Sequence, residues 1–204
     1  SVSLPVTADF EAGYSDSIAG LQENTSRLID TGAVGINFED GLDDSSRLRP
    51  IAEQVERIKA VREAAQRRGI HLVINARADS FFANGFASDE ERIEDVITRS
   101  NAYIQAGADS TYPVGRGDKA TITILQKRIS APINVLATAK TASVKELQEL
   151  GINRVSFGPY IFRSLLAKLS AMQDEILNMG GYDIVMNGIW SSSDVKKYLI
   201  EGKE

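Results

Sequence analysis

Four charged residues near the ends of three short apolar runs are the first sign of chemistry in this sequence. "PVTADFEAGY" at 5–14 carries Asp9 and Glu11, "INFED" at 36–40 carries Glu39, and "INARAD" at 74–79 carries Arg77. Successive side chains of a strand point to opposite faces. Val6, Ala8 and Phe10 then share one face of the first run, and Thr7, Asp9 and Glu11 the other. Ile36 and Phe38 alternate with Asn37 and Glu39, and Ile74, Ala76 and Ala78 alternate with Asn75, Arg77 and Asp79. Like charges side by side are costly unless a positive charge sits between them. Three acids on neighbouring strand ends therefore predict a divalent cation. With no cysteine and only one histidine, His71, its ligands must be oxygens. Asp9, Glu11 and Glu39 are the expected metal ligands, for Mg2+, Mn2+ or Ca2+, with Mg2+ the favoured metal and Mn2+ its substitute. Arg77 is expected to stand free to clamp a carboxylate or phosphate. The competing reading has the acids simply paired with Arg77 and surface lysines.

Such a set needs strands that end together, and the sequence supplies them by repeating one unit. "LIDTGAVGINFED", "AAQRRGIHLVINARAD", "YIQAGADSTYPV" and "LQELGINRVSFGP" each run from a helical pattern through a glycine into a short strand. Gly32, Gly69, Gly107 and Gly151 fall where helix C-termini take a left-handed residue. Strands are expected near 5–11, 34–39, 71–78, 109–114, 132–137 and 154–157, and Pro50 opens a long helix over "PIAEQVERIKAVREAAQRR". Helices alternating with short buried strands give an α/β fold with a parallel sheet. A (β/α)8 TIM barrel has eight strands over about 250 residues. The expectation is a partial barrel over 1–178 that supplies strands three to eight and lacks the first two βα units. An open doubly wound sheet is the alternative, and it requires reversals of strand order. Residues 179–204, with Trp190, are expected to form a C-terminal helical extension.

Bulk properties exclude several function classes. The chain has 204 residues, 43% of them hydrophobic, enough for one sizeable domain. Its net charge of −5 argues against nucleic-acid and anionic-membrane partners, which need a basic surface. With no apolar run of about 18 residues and no signal-peptide pattern, the expected location is the cytoplasm and the expected partner a small-molecule carboxylate.

In this order and at these spacings, "PVTADFEAGY", "GINFEDG" and "INARADS", followed by "RVSFGPYIFRSLL", resemble the isocitrate lyase/phosphoenolpyruvate mutase superfamily over most of the chain. The resemblance implies a barrel enzyme that binds Mg2+ and stabilises an enolpyruvate-type anion while a C–C or P–C bond is made or broken. It implies that Asp9 is the direct metal ligand, that Glu11 and Glu39 hold waters of the metal's shell, and that Arg77 binds the substrate's carboxylate or phosphonate. It also implies a homo-oligomer, a dimer or a tetramer, with the C-terminal helices exchanged between subunits and "IWSSSDVKKYLI" as a docking segment. Departures narrow the reading. The lyase branches carry a Lys-Lys-Cys-Gly-His loop where this chain has "GLDDSSRLRP", and a glutamate after the sixth-strand proline where it has Val114. The lysine and asparagine of the mutase loop are not evident either. The family's first two βα units, with a Ser-Gly loop and a further metal-shell aspartate, are expected before Ser1. The expected activity is that of a mutase-like relative with a short loop, cleaving or decarboxylating a small 2-oxo or 2-hydroxy acid. Phosphonate chemistry is the second reading, and a non-catalytic paralogue or fragment is the third.

Other residues carry weaker signals. Asn75 and Asp79 flank Arg77, and either one is placed to orient it. Asn134 points inward on "PINVLA" toward a ligand or an ordinary buried partner. Tyr14 follows the "EAG" turn near the mouth, Arg116 offers a cation to an anion, and His71 begins a strand on the side away from the mouth, where a structural role is expected.

Overall fold

The computed structural model of the protein describes residues 3–42 and 45–197. The chain divides into two compact units, Ser1–Phe157 and Gly158–Glu204. The first alternates strands and helices: β1 (Thr7–Asp9), α1 (Ile18–Asp30), β2 (Gly35–Glu39), the hairpin β3 (Gly41–Leu42) and β4 (Arg47–Leu48), α2 (Ile51–Arg67), β5 (Val73–Ala78), α3 (Asp89–Gln105), β6 (Ser110–Pro113), α4 (Lys119–Arg128), β7 (Asn134–Leu136), α5 (Val144–Glu149) and β8 (Arg154–Ser156). β1, β2, β5 and β6 form one parallel sheet in that order, and β7 pairs with β8. A single bridge, Thr111 to Ile133, carries the wall from β6 toward β7.

Neighbouring strands of the wall follow chain order, as in a barrel, with none of the reversal that a doubly wound sheet requires. Among the described residues the wall is not closed. All six expected strands are present, each shorter than its alternation suggested, and the β3–β4 hairpin within "GLDDSSRLRP" is an addition. Its Asp43 and Asp44 lie outside the described residues.

Local chemistry accounts for these elements. Gly32, Gly69, Gly107 and Gly151 all have positive φ, between 66° and 110°, so the helices end where the sequence placed a residue without a Cβ. Ser17, Ser88, Asp118 and Ser143 cap the helices that follow them. Ile36, Phe38, Ile74, Ala76 and Ala78 are all at most 1% exposed and share one core with Leu21, Ile58, Val61 and Val96 of the helices. The apolar parity of β2 and β5 thus faces the helices, which leaves the polar parity for the interior of the wall.

At the start of β5, at the opposite end from Arg77, lies a polar seam. Asp109 accepts from the Ile74 amide at 2.8 Å and from Arg62 at 2.6 Å, and lies 2.7 Å from His71 Nε2. Burial pushes the Asp109 carboxyl up, but the Ile74 amide, Arg62 and His71 outweigh it and hold it below the usual range. A carboxyl depressed in the folded state contributes stability above its unfolded pKa of about 3.9 and loses it as pH falls below that. Asp109→Asn is expected to lower Tm at pH 7 and to narrow the gap from wild type at pH 3, as thermal unfolding across that range would show.

The second unit holds α6 (Tyr160–Leu177), α7 (Asp183–Met186) and α8 (Ser192–Lys196). α6 buries none of its residues, and Leu165, Leu166 and Leu169 are exposed. Of the expected docking segment, Tyr198, Leu199 and Ile200 lie outside the described residues. Among the described residues no helix is long and apolar enough to cross a membrane.

Candidate active site

Parallel register aligns the inward side chains in two layers. Asp9 stands opposite Asn37, Asn37 opposite Asn75, and Asn75 opposite Ser110. One step toward the strand ends, Glu39 stands opposite Arg77, and Arg77 opposite Tyr112. On the other strand pair Asn134 stands opposite Arg154, whose Nη1 reaches Asn37 Oδ1 at 3.5 Å, so β8 and β2 look into a common interior.

Arg77 occupies the centre of the upper layer, and it is not free as the sequence suggested. Its Nη1 pairs with Glu39 Oε2 at 2.7 Å, its Nη2 with Asp79 Oδ1 at 2.8 Å, and its Nε donates to the same Asp79 oxygen at 2.9 Å. Asp79 is the residue that orients it. Asn75 is wholly buried and bonds instead to Asn37 at 2.8 Å and Ser110 at 2.7 Å, in the layer beneath.

Glu11 reaches the site by a different route from the one parity implied. The strand ends at Asp9, and Glu11 begins a turn with φ of 45°, its carbonyl accepting from the Glu39 amide at 2.9 Å. The turn is tight because a Cβ on Gly13 would lie 2.3 Å from Leu21 Cδ1, and Gly13 itself has φ of 83°. From beneath, Arg57, 1% exposed, donates to the carbonyls of Ala12 at 2.6 Å, Ser15 at 2.8 Å and Asp16 at 3.2 Å. Its guanidinium also lies 5.8 Å from the Phe38 ring centroid.

The charge balance is negative. Burial pushes the Glu39 carboxyl up to about 7; Arg77 pulls it down, and Asp79, Asp9 and Glu11 push it further up. The Tyr14 phenol is raised by burial and then by Glu11 and Asp9, which places it beside the same acids, with its ring edge-on to Phe10 at 6.0 Å. Among the described residues, no three or more histidine or carboxylate side chains are close enough together to form a metal cage. The donors nonetheless suit a hard cation. They are all oxygens, and the acids around Glu39 carry more charge than Arg77 neutralises.

Asn134 is wholly buried; its Nδ2 donates to Ser156 Oγ at 3.3 Å and its Oδ1 has no hydrogen-bond partner. Arg116 pairs with Asp89 at the surface, and His71 belongs to the Asp109 seam, as a structural role requires. The sequence reading passed over Asp40. Two consecutive acids at a strand end, Glu39 and Asp40, must point opposite ways, so one of them had to enter the helix side. That signal was available.

The family model of phosphoenolpyruvate phosphomutase matches residues 1–177. The chain belongs to that family. A candidate phosphonomutase from Burkholderia cenocepacia J2315, known from its crystal structure, is 36% identical to this phosphoenolpyruvate phosphomutase family member. It superposes with a TM-score of 0.80 over 85% of this chain and 70% of its own. An uncharacterized Mycobacterium tuberculosis protein (strain CDC 1551 / Oshkosh) is 31% identical over 157 residues, which is 76% of this chain and 55% of the relative. The 2-methylisocitrate lyase of Bacillus subtilis is 25% identical over 77% of this chain and 52% of its own. The chain thus spans about half the length of these two relatives. The structure of 2,3-dimethylmalate lyase, 23% identical with a TM-score of 0.72, shares the fold. The fold is the (β/α)8 barrel type of the isocitrate lyase/phosphoenolpyruvate mutase superfamily, represented here by an arc of six strands.

Proposed function

We propose that this chain carries the strand-end site of a cytoplasmic Mg2+-dependent lyase or mutase. Its substrate is a small 2-oxo or 2-hydroxy carboxylate that reacts through an enolpyruvate-like anion by C–C cleavage or decarboxylation. The observation that carries the reading is geometric: at the strand ends one arginine is held between two carboxylates, Arg77 lying 2.7 Å from Glu39 and 2.8 Å from Asp79, with Asp9 and Glu11 at the neighbouring strand end. Asp9 would ligate the cation directly, and Glu11 and Glu39 would hold its outer shell. When bound, the cation would supply Lewis-acid stabilisation of the developing oxyanion.

The chain's own residues bind and orient. A guanidinium has five N–H donors, more than the contacts to Glu39 and Asp79 use, so Arg77 takes a substrate carboxylate while it remains clamped. Tyr112 stands opposite Arg77 in the same layer. The likeness to the candidate phosphonomutase, together with Val114, favours P–C bond chemistry as the second reading.

Calorimetric titration of oxalate, a planar mimic of the enolpyruvate anion, tests the site. Wild-type protein is expected to bind oxalate only when Mg2+ is present. Asp9→Ala is expected to weaken that binding at least about a hundredfold, equivalent to roughly 3 kcal/mol, with an unchanged circular dichroism spectrum. Equal affinity with and without Mg2+, or in Asp9→Ala, would overturn the reading. Running 2-oxo acids and phosphonopyruvate side by side under ³¹P NMR separates the two chemistries.

A further inference from the structure

Behind the site, on the helix side of the wall, lies a buried polar hub. Asp40 is fully buried and uses both carboxylate oxygens. Oδ1 accepts from the Asp79 amide at 3.0 Å, and Oδ2 accepts from the Tyr103 hydroxyl at 2.5 Å and from Arg99 Nη1 at 3.1 Å. Its own carbonyl accepts from the Arg49 amide at 2.9 Å. Arg99 also donates to the Arg49 carbonyl at 2.8 Å, and its Nε donates to Asp95 at 2.7 Å. Next to Asp40, the Glu39 carbonyl accepts from Gln54 Nε2 at 3.1 Å.

Backbone pairing of β2 with β5 ends at Glu39 and Arg77. Beyond that point nothing in a parallel sheet obliges the two chains to stay together. The Asp40 carboxylate supplies the missing tie, since it pins the main chain of Asp79. The Asp79 side chain in turn holds Arg77 through Nε and Nη2. Core packing alone would be served better by an apolar residue, because a buried carboxylate must recover its desolvation through hydrogen bonds. Here α3 supplies those bonds through Arg99 and Tyr103, and the remaining oxygen is directed at one backbone amide next to the site.

We propose that Asp40 is a positioning residue that fixes the aim of Arg77 by way of Asp79, with Tyr103 and Arg99 as its support. The consequence for ligand binding rests on the functional reading above; the positioning itself does not. Asparagine has a single acceptor oxygen where Asp40 uses two. Asp40→Asn must therefore release either the Asp79 amide or the pair from α3. Tyr103→Phe removes one donor and leaves Arg99 in place, so it should act in the same direction with a smaller effect.

The test reads the Arg77 Nε–H signal by NMR, assigned by its disappearance in Arg77→Lys. Wild type is expected to show a dispersed signal slow to exchange with water. In Asp40→Asn the signal should move to the position of unrestrained arginines and exchange at least tenfold faster, with a partial change in Tyr103→Phe. Ile122→Val, which thins the core beneath α4, serves as the destabilised control and should leave the signal in place. An unchanged Arg77 signal in a folded Asp40→Asn protein, or an equal change in Ile122→Val, would overturn the proposal. Should Asp40→Asn not fold, the Tyr103→Phe comparison decides by the same criterion. Oxalate titration of the same samples with Mg2+ separates the two claims. A shifted Arg77 signal with about tenfold weaker oxalate binding supports both. A shifted signal with oxalate affinity unchanged, or with no binding even by wild type, upholds the positioning and overturns the functional reading.

Discussion

Arg77→Met is expected to lose about 3 kcal/mol of stability at pH 8 and markedly less at pH 6, together with all Mg2+-dependent oxalate binding. The arginine lies between Glu39, 18% exposed, and Asp79, fully buried. Removing one partner of a buried ion pair costs about 3–5 kcal/mol, because the other charge is left without compensation. Here two carboxylates are left facing each other. The pH dependence follows from proton uptake. Glu39 already has a folded pKa of about 7, above an unfolded value of about 4.3, so the folded protein holds more protons than the unfolded chain between those values. Stability therefore falls as pH rises through that window. Without the arginine cation both carboxyls shift further up, which carries the fall to higher pH. Urea unfolding at pH 6 and pH 8 reads the difference, and equal losses at the two pH values would contradict the account.

Arg57→Met is expected to cost about 3 kcal/mol through a different mechanism. The side chain holds the turn after β1 by donating to three main-chain carbonyls, and methionine fills much of the same volume but donates nothing. Each buried acceptor left without a donor costs about 1–3 kcal/mol. The turn also stores strain, because Glu11 and Tyr14 both occupy the left-handed region, with φ of 45° and 53°, which disfavours side chains with a Cβ. Released from Arg57, these residues relax and Glu11 leaves the mouth. A lowered urea midpoint with an unchanged m-value is expected, and a midpoint within experimental error of wild type would refute it.

Much of this arrangement was legible in the sequence because it depends on period-two alternation. Glu39, Arg77 and Asn75 fell on the interior face because Ile36, Phe38, Ile74, Ala76 and Ala78 had to meet the helices. Glycines after helical patterns marked four helix ends. Alternation failed at Glu11, where a strand of three residues ended before the pattern did and a turn decided the geometry. It was also silent on partners. That Arg77 is held by Asp79 and Glu39 depends on distances across strands, and no spacing along one strand encodes those. Asp40 carried a legible signal of its own, because its position next to Glu39 on a strand end assigns it to the opposite face, but its partners Tyr103, Arg99 and the Asp79 amide lie on other elements.

The strand order has a consequence for the making of the chain. Every ladder in the wall joins a strand to the one synthesised just before it, from β1 and β2 through β5 and β6 to β7 and β8. As the polypeptide leaves the ribosome, each new strand meets a partner already in place. The Asp40 hub needs only the 63 residues that separate it from Tyr103, so the back of the site can assemble while the last units are still being translated. The bond from Arg154 to Asn37 spans 117 residues and can form only when β8 has emerged. Contacts of such long sequence separation are the slow ones in folding. The interior that a substrate would enter is therefore the part of this unit that matures last.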